Sequence, residues 1–457
     1  MMIILLGEIH MIIKKISIQN LHKKYNYSIE FDDHITFLYG SNGCGKTTIL
    51  NILASIVTGQ LYNLVDYTFD NIILDYLDEK GNCETIEIFT ENQNTEFEKM
   101  KVSFKKEFYE IDDVCNLKEK LFRTSEDEGL DEVFFSKYPF AKKIKTTFNY
   151  VYLPLNRYGN EICNGGIDYY RFVSRRRYYL QQQNPYNTYL NDSLQYVSEL
   201  IKDSCISINV QENKINDKFR RDLLSSSIRV SSEVPISQIF NEIDKCRWDD
   251  VLKSKEAYIK TLTEIGVYDD NLQNKIEQFF YEFKNAYDEY QNNRKSKMAG
   301  IRLDLAWQYA EFMKIRSIAD LAKENEKTKE KVREPKEMFL EVINDFFLSS
   351  ATDKKIKINS EGKVYFESHT HELELTDLSS GEKQIVITFA SLIFGLLGKS
   401  TGIFIVDEPE ASLHLEWQTK FVDTILKTNK NIQLIFATHS PELIGKYRKK
   451  AVKLIKK

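Results

Sequence analysis

Apolar positions recur at two different periods along this chain, and the change between them divides it. From residue 11 to 39 the period is two: Ile12, Ile13, Ile16 and Ile18, then Tyr27, Ile29 and Phe31, predict two or three strands that end in the apolar run Ile35 to Tyr39. Thr48 to Val57 is apolar enough for a buried helix, and Thr85 to Phe89 and Lys101 to Tyr109 each read as one strand. Thr147 to Leu155, β-branched and aromatic, predicts a core strand that emerges at Asn156-Arg157.

From about 160 to 345 the spacing becomes three and four. Leu272, Ile276, Phe279, Phe283, Tyr287 and Tyr290 form one stripe, and Phe312, Ile315, Ile318 and Leu321 another, which predicts antiparallel helices in a short arm. The Lys/Glu run Lys323 to Lys336 contains Pro335 and reads as a solvated helix face or a linker, after which Met338 to Leu348 resumes an amphipathic helix. Strands are predicted at Lys355 to Ile358, Val364 to Glu367 and Leu373 to Leu375. An apolar helix, Ile385 to Leu397, then precedes two buried strands that end near Asp407 and Thr438.

Composition changes this picture little. A chain of 457 residues has room for two or three domains, and its net charge of -5 gives no global case for nucleic acid, so any basic surface must be local. No apolar run reaches the roughly 18 residues of a membrane span, and Met1 to Leu6 is too short and lacks the basic flank of a leader, which predicts a cytoplasmic protein. The six cysteines form no C-x-x-C pair, which argues against zinc or a disulfide framework. Cys44 lies within the glycine-rich stretch described next and reads as a filler residue.

Candidate chemistry begins at Gly40-Ser41-Asn42-Gly43-Cys44-Gly45-Lys46-Thr47, which satisfies G-x-x-x-x-G-K-[ST] between a predicted strand and a predicted helix. Glycines let successive backbone N–H groups turn toward phosphate oxygens, Lys46 can reach the β- and γ-phosphates, and Thr47 can offer its hydroxyl to Mg²⁺. ATP with Mg²⁺ is the expected ligand. Gly40, Asn42, Gly43, Gly45, Lys46, Thr47 and Thr48 are its binding candidates.

Three later segments complete a pattern. Leu378-Ser379-Ser380-Gly381-Glu382 opens the apolar helix, Val406-Asp407-Glu408-Pro409-Glu410 ends one buried strand, and Ala437-Thr438-His439-Ser440 ends the next. Each alone has a plainer reading; Ser379 with Glu382 three residues on also spells a helix capping box. Together, in this order, they resemble the ABC-type ATPases in the broad sense, SMC- and RecF-like proteins included. The resemblance implies an α/β fold: a P-loop ATPase head with an inserted helical arm, the head divided between 1–155 and 338–457 and the arm at 156–337. It further implies that Thr47 and Asp407 hold Mg²⁺, that Glu408 activates water, and that His439 touches the γ-phosphate. Ser379 and Gly381 would meet the γ-phosphate of a second copy, in an ATP-sandwich dimer or higher homo-oligomer. Asn156 or Arg157 is the candidate for the lid residue.

The run Glu408-Pro409-Glu410-Ala411-Ser412-Leu413-His414 is similar to RecF- and OLD-like ATPases of genome maintenance and antiphage defence. His414 stands where transporter ATPases carry Asp, and Ser380 replaces a signature glycine. OLD-type nucleases continue into a Toprim domain; here 18 residues follow His439. All seven histidines lie at or before 34 or at or after 369, which leaves no HNH arrangement in the middle. The resemblance therefore implies a separate nuclease partner, HNH-type or Toprim-type, as in the Septu and PARIS defence systems. The alternative is a DNA-repair ATPase, with DNA itself as a ligand. The cations and aromatics of Tyr169 to Tyr179 and the basic tail from Lys446 would be candidate contacts.

Overall fold

The computed structural model describes residues 11–91, 99–112, 130–153, 163–164, 185–228, 236–292, 299–349, 354–368, 372–396, 402–429 and 431–455. Asn156, Arg157, the Tyr169 to Tyr179 segment, His369 and His371 lie outside them. The chain divides into two compact units, one formed by residues up to 205 together with 335 onward, the other by 206–334.

In chain order the strands and helices are β1 (Ile12–Leu21), β2 (Tyr25–Glu30), β3 (Ile35–Tyr39), α1 (Lys46–Val57), β4 (Asn71–Leu77), β5 (Cys83–Glu91), β6 (Lys99–Phe104) and β7 (Glu107–Ile111). There follow α2 (Leu130–Lys137), α3 (Pro139–Thr147), β8 (Tyr150–Leu153), β9 (Cys163–Asn164) and α4 (Pro185–Ile228). Next come α5 (Ile236–Ile243), α6 (Trp248–Ile265), α7 (Asp270–Asn292) and α8 (Ala299–Ser349). The chain then runs through β10 (Lys355–Ile358), β11 (Val364–Glu367), β12 (Glu372–Leu373), α9 (Ser380–Gly395), β13 (Gly402–Asp407), α10 (Leu415–Thr428), β14 (Ile432–Thr438) and β15 (Ala451–Lys453).

The first unit is built on a six-stranded sheet of order β15-β3-β14-β13-β8-β9, parallel except for the β8–β9 edge pair. Its inner strands are apolar on both faces, as a sheet covered on both sides requires. Leu38, Ile405, Ile435 and Ala437 join one core with Ile49, Leu50 and Leu53 of α1. Their alternate neighbours Phe37, Phe404, Val406, Leu434 and Phe436 join a second core with Phe389 of α9 and Phe421 of α10. Leu194, Val197, Leu200 and Ile201, in the first half of α4, and Phe339, Ile343, Phe346 and Phe347, at the end of α8, also pack there. An antiparallel sheet of order β2-β1-β4-β5-β6-β7 backs the first core, and β10-β11-β12 form a small third sheet.

Two readings from the sequence need correction. Lys101 to Tyr109 is not one strand but the β6–β7 hairpin. Lys105 and Lys106 both take positive φ, 52° and 67°, at its turn, a conformation that the usual Gly or Asn would have announced. Nor does the Lys/Glu run separate two helices, because α8 continues through Pro335. Proline removes one backbone hydrogen bond, but the flanking Lys, Glu and Met are strong helix formers, and the packed phenylalanines beyond hold the far side.

The second unit is helical. Ile276, Phe280, Phe283 and Tyr290 of α7 pack with Leu305, Tyr309 and Phe312 of α8, joined by Ile243 and Val251. Leu272, Phe279, Tyr287 and Ile315 border this core, whereas Ile318 and Leu321 are half-buried outside it.

Candidate nucleotide-binding site

Parallel strands side by side bring their C-terminal ends to one edge, and ligands of open α/β sheets bind there. Thr438 lies opposite Tyr39, and Asp407 opposite Ala437, so the residues that follow β3, β13 and β14 emerge together. These are the glycine-rich loop, Glu408 and His439.

Gly43 and Gly45 have φ of 71° and 96°, which side-chain-bearing residues adopt with strain. A Cβ at Gly45 would also stand 2.8 Å from the Tyr27 hydroxyl, which donates to the Cys44 carbonyl at 2.9 Å. The loop is thus pinned to β2 by a tyrosine that the sequence offered only as one more apolar position. Gly45 caps α1 without a side chain, and no acidic residue sits in the first turn. That leaves the helix N-terminal N–H groups turned to an anion.

Lys46 is 5% exposed. Its Nζ lies 3.3 Å from the Gly40 carbonyl, 3.9 Å from Cys44 Sγ and 2.6 Å from His439 Nε2. A lysine ammonium only donates, so Nε2 accepts here and the imidazole proton belongs on Nδ1. Glu408 Oε1 lies 3.5 Å from His439 Nε2 as well. Lys46, Glu408 and His439 therefore form one cluster. Glu408 holds φ 45° and ψ 57°, left-handed for a residue with a side chain, while its N–H donates to Ala437. Strain of that kind costs about 1–3 kcal/mol and collects at functional positions.

Asp407 is 3% exposed, and neither carboxylate oxygen has a hydrogen-bond partner. Burial pushes its carboxyl up from 3.8 to about 7, with Glu408 and Glu410 adding to the rise and nearby Thr47 and Lys46 opposing it. Two orphaned oxygens beside a threonine hydroxyl suit a hard cation that takes its remaining ligands from phosphate and water. Among the described residues no cluster of three or more His, Cys, Asp or Glu could hold a metal by itself. Thr47 and Asp407 therefore fit Mg²⁺ as it sits on a nucleotide. Asn42 and Gly43 are exposed and Thr48 half-buried along the same loop. A cleft of about 640 Å³ runs past Gly40, Ser41, Thr438 and His439.

Ser379 and Gly381 stand apart; among the described residues no hydrogen bond joins them to this cluster. Ser379 caps α9 in a capping box: Glu382 N donates to its Oγ at 3.4 Å, and its own N donates to Glu382 Oε2 at 2.8 Å. Lys354 neutralises the buried Glu382 at 2.9 Å. Gly381 is buried, and a Cβ there would lie 2.5 Å from the Ser412 carbonyl. The Ser379 side chain is exposed at a helix N-terminus.

Sequence reading passed over the part played by Glu410. Its Oε1 accepts from Thr438 Oγ1 at 2.7 Å, His439 N at 2.6 Å and Ser440 N at 3.2 Å. The signal was the second glutamate of E-P-E, which had been read as a family mark only.

A parallel sheet of this order, with a phosphate loop, an acidic strand end and a histidine at one edge, defines an ABC-type, RecF-like P-loop ATPase head carrying a helical arm. The chain belongs to the AAA_15 family, described as an AAA ATPase domain, which it matches over residues 11–444. It is 38% identical over 80 residues to the retron Ec83 probable ATPase of Escherichia coli, 16% of this chain and 15% of that protein. To the retron Vc95 probable ATPase of Vibrio cholerae serotype O1 biovar El Tor it is 31% identical over 93 residues, 18% of each chain. The matched stretches thus span less than a fifth of these relatives. Among solved structures, the Smc head domain with an extended coiled coil bound to the C-terminal domain of ScpA, derived from Pyrococcus furiosus, aligns with TM-score 0.41 and 12% identity over 95% of this chain and 91% of that one. The SmcHead bound to the C-winged helix domain of ScpA aligns over the same shares, with TM-score 0.42 and 12% identity. Those scores are too low to carry the fold assignment, which rests on the family match and the strand order. Among the described residues no helix is long and apolar enough to cross a membrane.

Proposed function

We propose that this chain is the ATP-binding and ATP-hydrolysing subunit of a bacterial antiviral defence system, and that ATP-dependent pairing of its heads controls a separate nuclease. The observation that carries the ATPase reading is the convergence of Lys46, Asp407, Glu408 and His439 on one edge of the sheet. The retron-associated relatives support the defence setting.

In this reading Lys46 and the α1 N-terminus would neutralise the β- and γ-phosphate oxygens, while Thr47 and Asp407 would hold Mg²⁺. Mg²⁺-ATP, when bound, would supply the phosphoryl group and a metal charge to offset that of the phosphates. Glu408 accepts the proton of the attacking water, and His439 contacts the γ-phosphate from the end of β14. Ser379 and the Gly381 N–H, displaced from this cluster within one chain, serve the site of a second copy. Hydrolysis to ADP and phosphate then parts the heads.

Two variants test the shared site. Lys46→Ala should abolish ATP binding, whereas Ser379→Arg should bind ATP yet fail to pair. Mixed, they contain one intact composite site per pair, and partial ATPase activity should return. Full ATP affinity in Lys46→Ala would remove the phosphate-loop assignment. Wild-type turnover by a non-associating Ser379→Arg chain would remove the shared site. Co-purification of an HNH-type or Toprim-type nuclease encoded beside this gene, with activity that responds to ATP, tests the partner.

A further inference from the structure

We infer that Glu410 is a positioning residue that fixes the backbone carrying His439 relative to Glu408, and so sets the geometry for turnover; this rests on the ATPase reading above. Three donors from three consecutive residues, Thr438 Oγ1, His439 N and Ser440 N, converge on the single oxygen Oε1, the last of them shared with Thr438 Oγ1 at 2.9 Å. Two successive backbone N–H groups turned to one point make an anion-binding concavity of the kind that loops present to phosphate. Here the chain's own carboxylate fills it. Thr438 is fully buried and Ser440 nearly so, which shields two of the three bonds from water, while His439 between them is exposed.

A second tie runs in parallel. Ser440 Oγ donates to Gln418 Oε1 at 2.7 Å, and Gln418 Nε2 donates to the Leu413 carbonyl at 2.9 Å. The segment after β13 is thereby joined to the segment after β14 at both its start and its end. Glu410 lies two residues from Glu408, and the Ala411 N–H closes the turn on the Glu408 carbonyl at 3.1 Å. Any movement of the Glu410 side chain therefore shifts His439 relative to the water-activating carboxylate.

Stability alone does not account for this carboxylate, because its Oε2 is buried with no hydrogen-bond partner. A buried polar atom left unpaired costs free energy. The arrangement is what a holding role needs: charge-assisted bonds to backbone, whose positions no rotamer change can alter.

The test is steady-state ATPase kinetics on wild type, His439→Ala, Glu410→Ala and the double variant, with Glu410→Gln as the conservative control. Misplacement of a reacting group by about 1 Å costs up to about a hundredfold. Glu410→Ala should therefore lower kcat about tenfold to a hundredfold while KM for ATP stays within about twofold. Gln keeps one acceptor oxygen for the three donors and should return most of kcat. In the His439→Ala background, Glu410→Ala should lower kcat no further, as expected of residues that act as one unit. Losses that multiply in the double variant, or full kcat in Glu410→Ala when His439→Ala is impaired, would overturn the inference. If Glu410→Ala does not fold, Glu410→Gln with a Gln kcat as low as that of His439→Ala would do the same. A fully active His439→Ala would also overturn the inference, since Glu410 is argued to act through that residue, whereas a wild-type protein without ATPase activity would instead remove the ATPase reading beneath it.

Discussion

Replacing Asp407 by Asn should make the nucleotide-free protein more stable while destroying its use of Mg²⁺. The carboxyl is 3% exposed, without a hydrogen-bond partner, and raised from 3.8 to about 7, chiefly by burial. A rise of about three units at 1.36 kcal/mol each makes ionised Asp407 cost the fold on the order of 4 kcal/mol. The sign follows from proton binding. Below 3.8 both folded and unfolded states carry the proton and nothing is lost; between 3.8 and 7 the unfolded chain ionises first, so stability falls as pH rises; above 7 the whole cost is present. Roughly 2 kcal/mol of it is felt at pH 5 and nearly all by pH 8. Asn leaves an unpartnered buried amide costing about 1–3 kcal/mol at every pH. The variant should therefore match wild type near pH 5 and exceed it by about 1–3 kcal/mol at pH 8, a few degrees in Tm. Thermal melts in EDTA from pH 5 to pH 8 measure this. A difference that does not change with pH, or an Asn protein less stable at pH 8, would refute the reasoning. Adding Mg²⁺-ATP should reverse the order, because wild type alone then gains binding stabilisation.

Glu408→Gln should bind ATP normally and release phosphate at least about a hundredfold more slowly, since the amide cannot accept a proton; unchanged phosphate release would place the base elsewhere. Gly381→Ala should lower Tm by an amount equivalent to about 1–3 kcal/mol, because its Cβ meets the Ser412 carbonyl at 2.5 Å; an unshifted melt would show that the α9 N-terminus gives way freely. Tyr27→Phe removes the donor to the Cys44 carbonyl and should cost about 1–2 kcal/mol, read as a matching loss of ATP affinity or of Tm in titrations and melts; neither loss would mean that the loop holds its shape unaided.

Asp407, Glu408 and His439 were legible because each stands at the end of an apolar strand and is a residue type that such a strand end does not need for packing, and Lys46 because it closes a glycine-rich spacing between a strand and a helix. Adjacency in space followed from the strand order, which local pattern does not contain. Glu410 and Tyr27 were legible as letters but not as contacts, since both act on backbone that is distant in sequence or hidden behind a turn. The β6–β7 hairpin was missed because Lys105-Lys106 carries no turn signal while the apolar alternation runs on through it. Pro335 misled in the opposite direction, being a local stop signal overridden by packing on its C-terminal side. The strand β4 and helices α2 and α3 were unread: the apolar residues of β4, Ile72-Ile73-Leu74 and Tyr76-Leu77, run together rather than alternate, and α2 and α3 are too short for a helical spacing to repeat. The first half of α4 was read with the arm, although Leu194 to Ile201 lie in the head core.

The placement of β14 between β3 and β13 governs when the protein can be born functional. The phosphate loop leaves the ribosome early, but the strand that must slot beside it is made roughly 390 residues later. At about 5–20 residues per second that is on the order of 20–80 s during which both edges of β3 are unfilled, since its other neighbour β15 is made later still. Closure of so distant a pair is slow, and an open apolar strand is a hazard for association with other chains. The antiparallel sheet of β1, β2 and β4 to β7 can assemble at once and shelter one face of the waiting segment. A nascent chain halted before residue 432 would carry the whole glycine-rich loop and yet have no His439 for Lys46 to meet. Competence for ATP thus arrives in a single late step, when the last long strand enters the middle of the sheet.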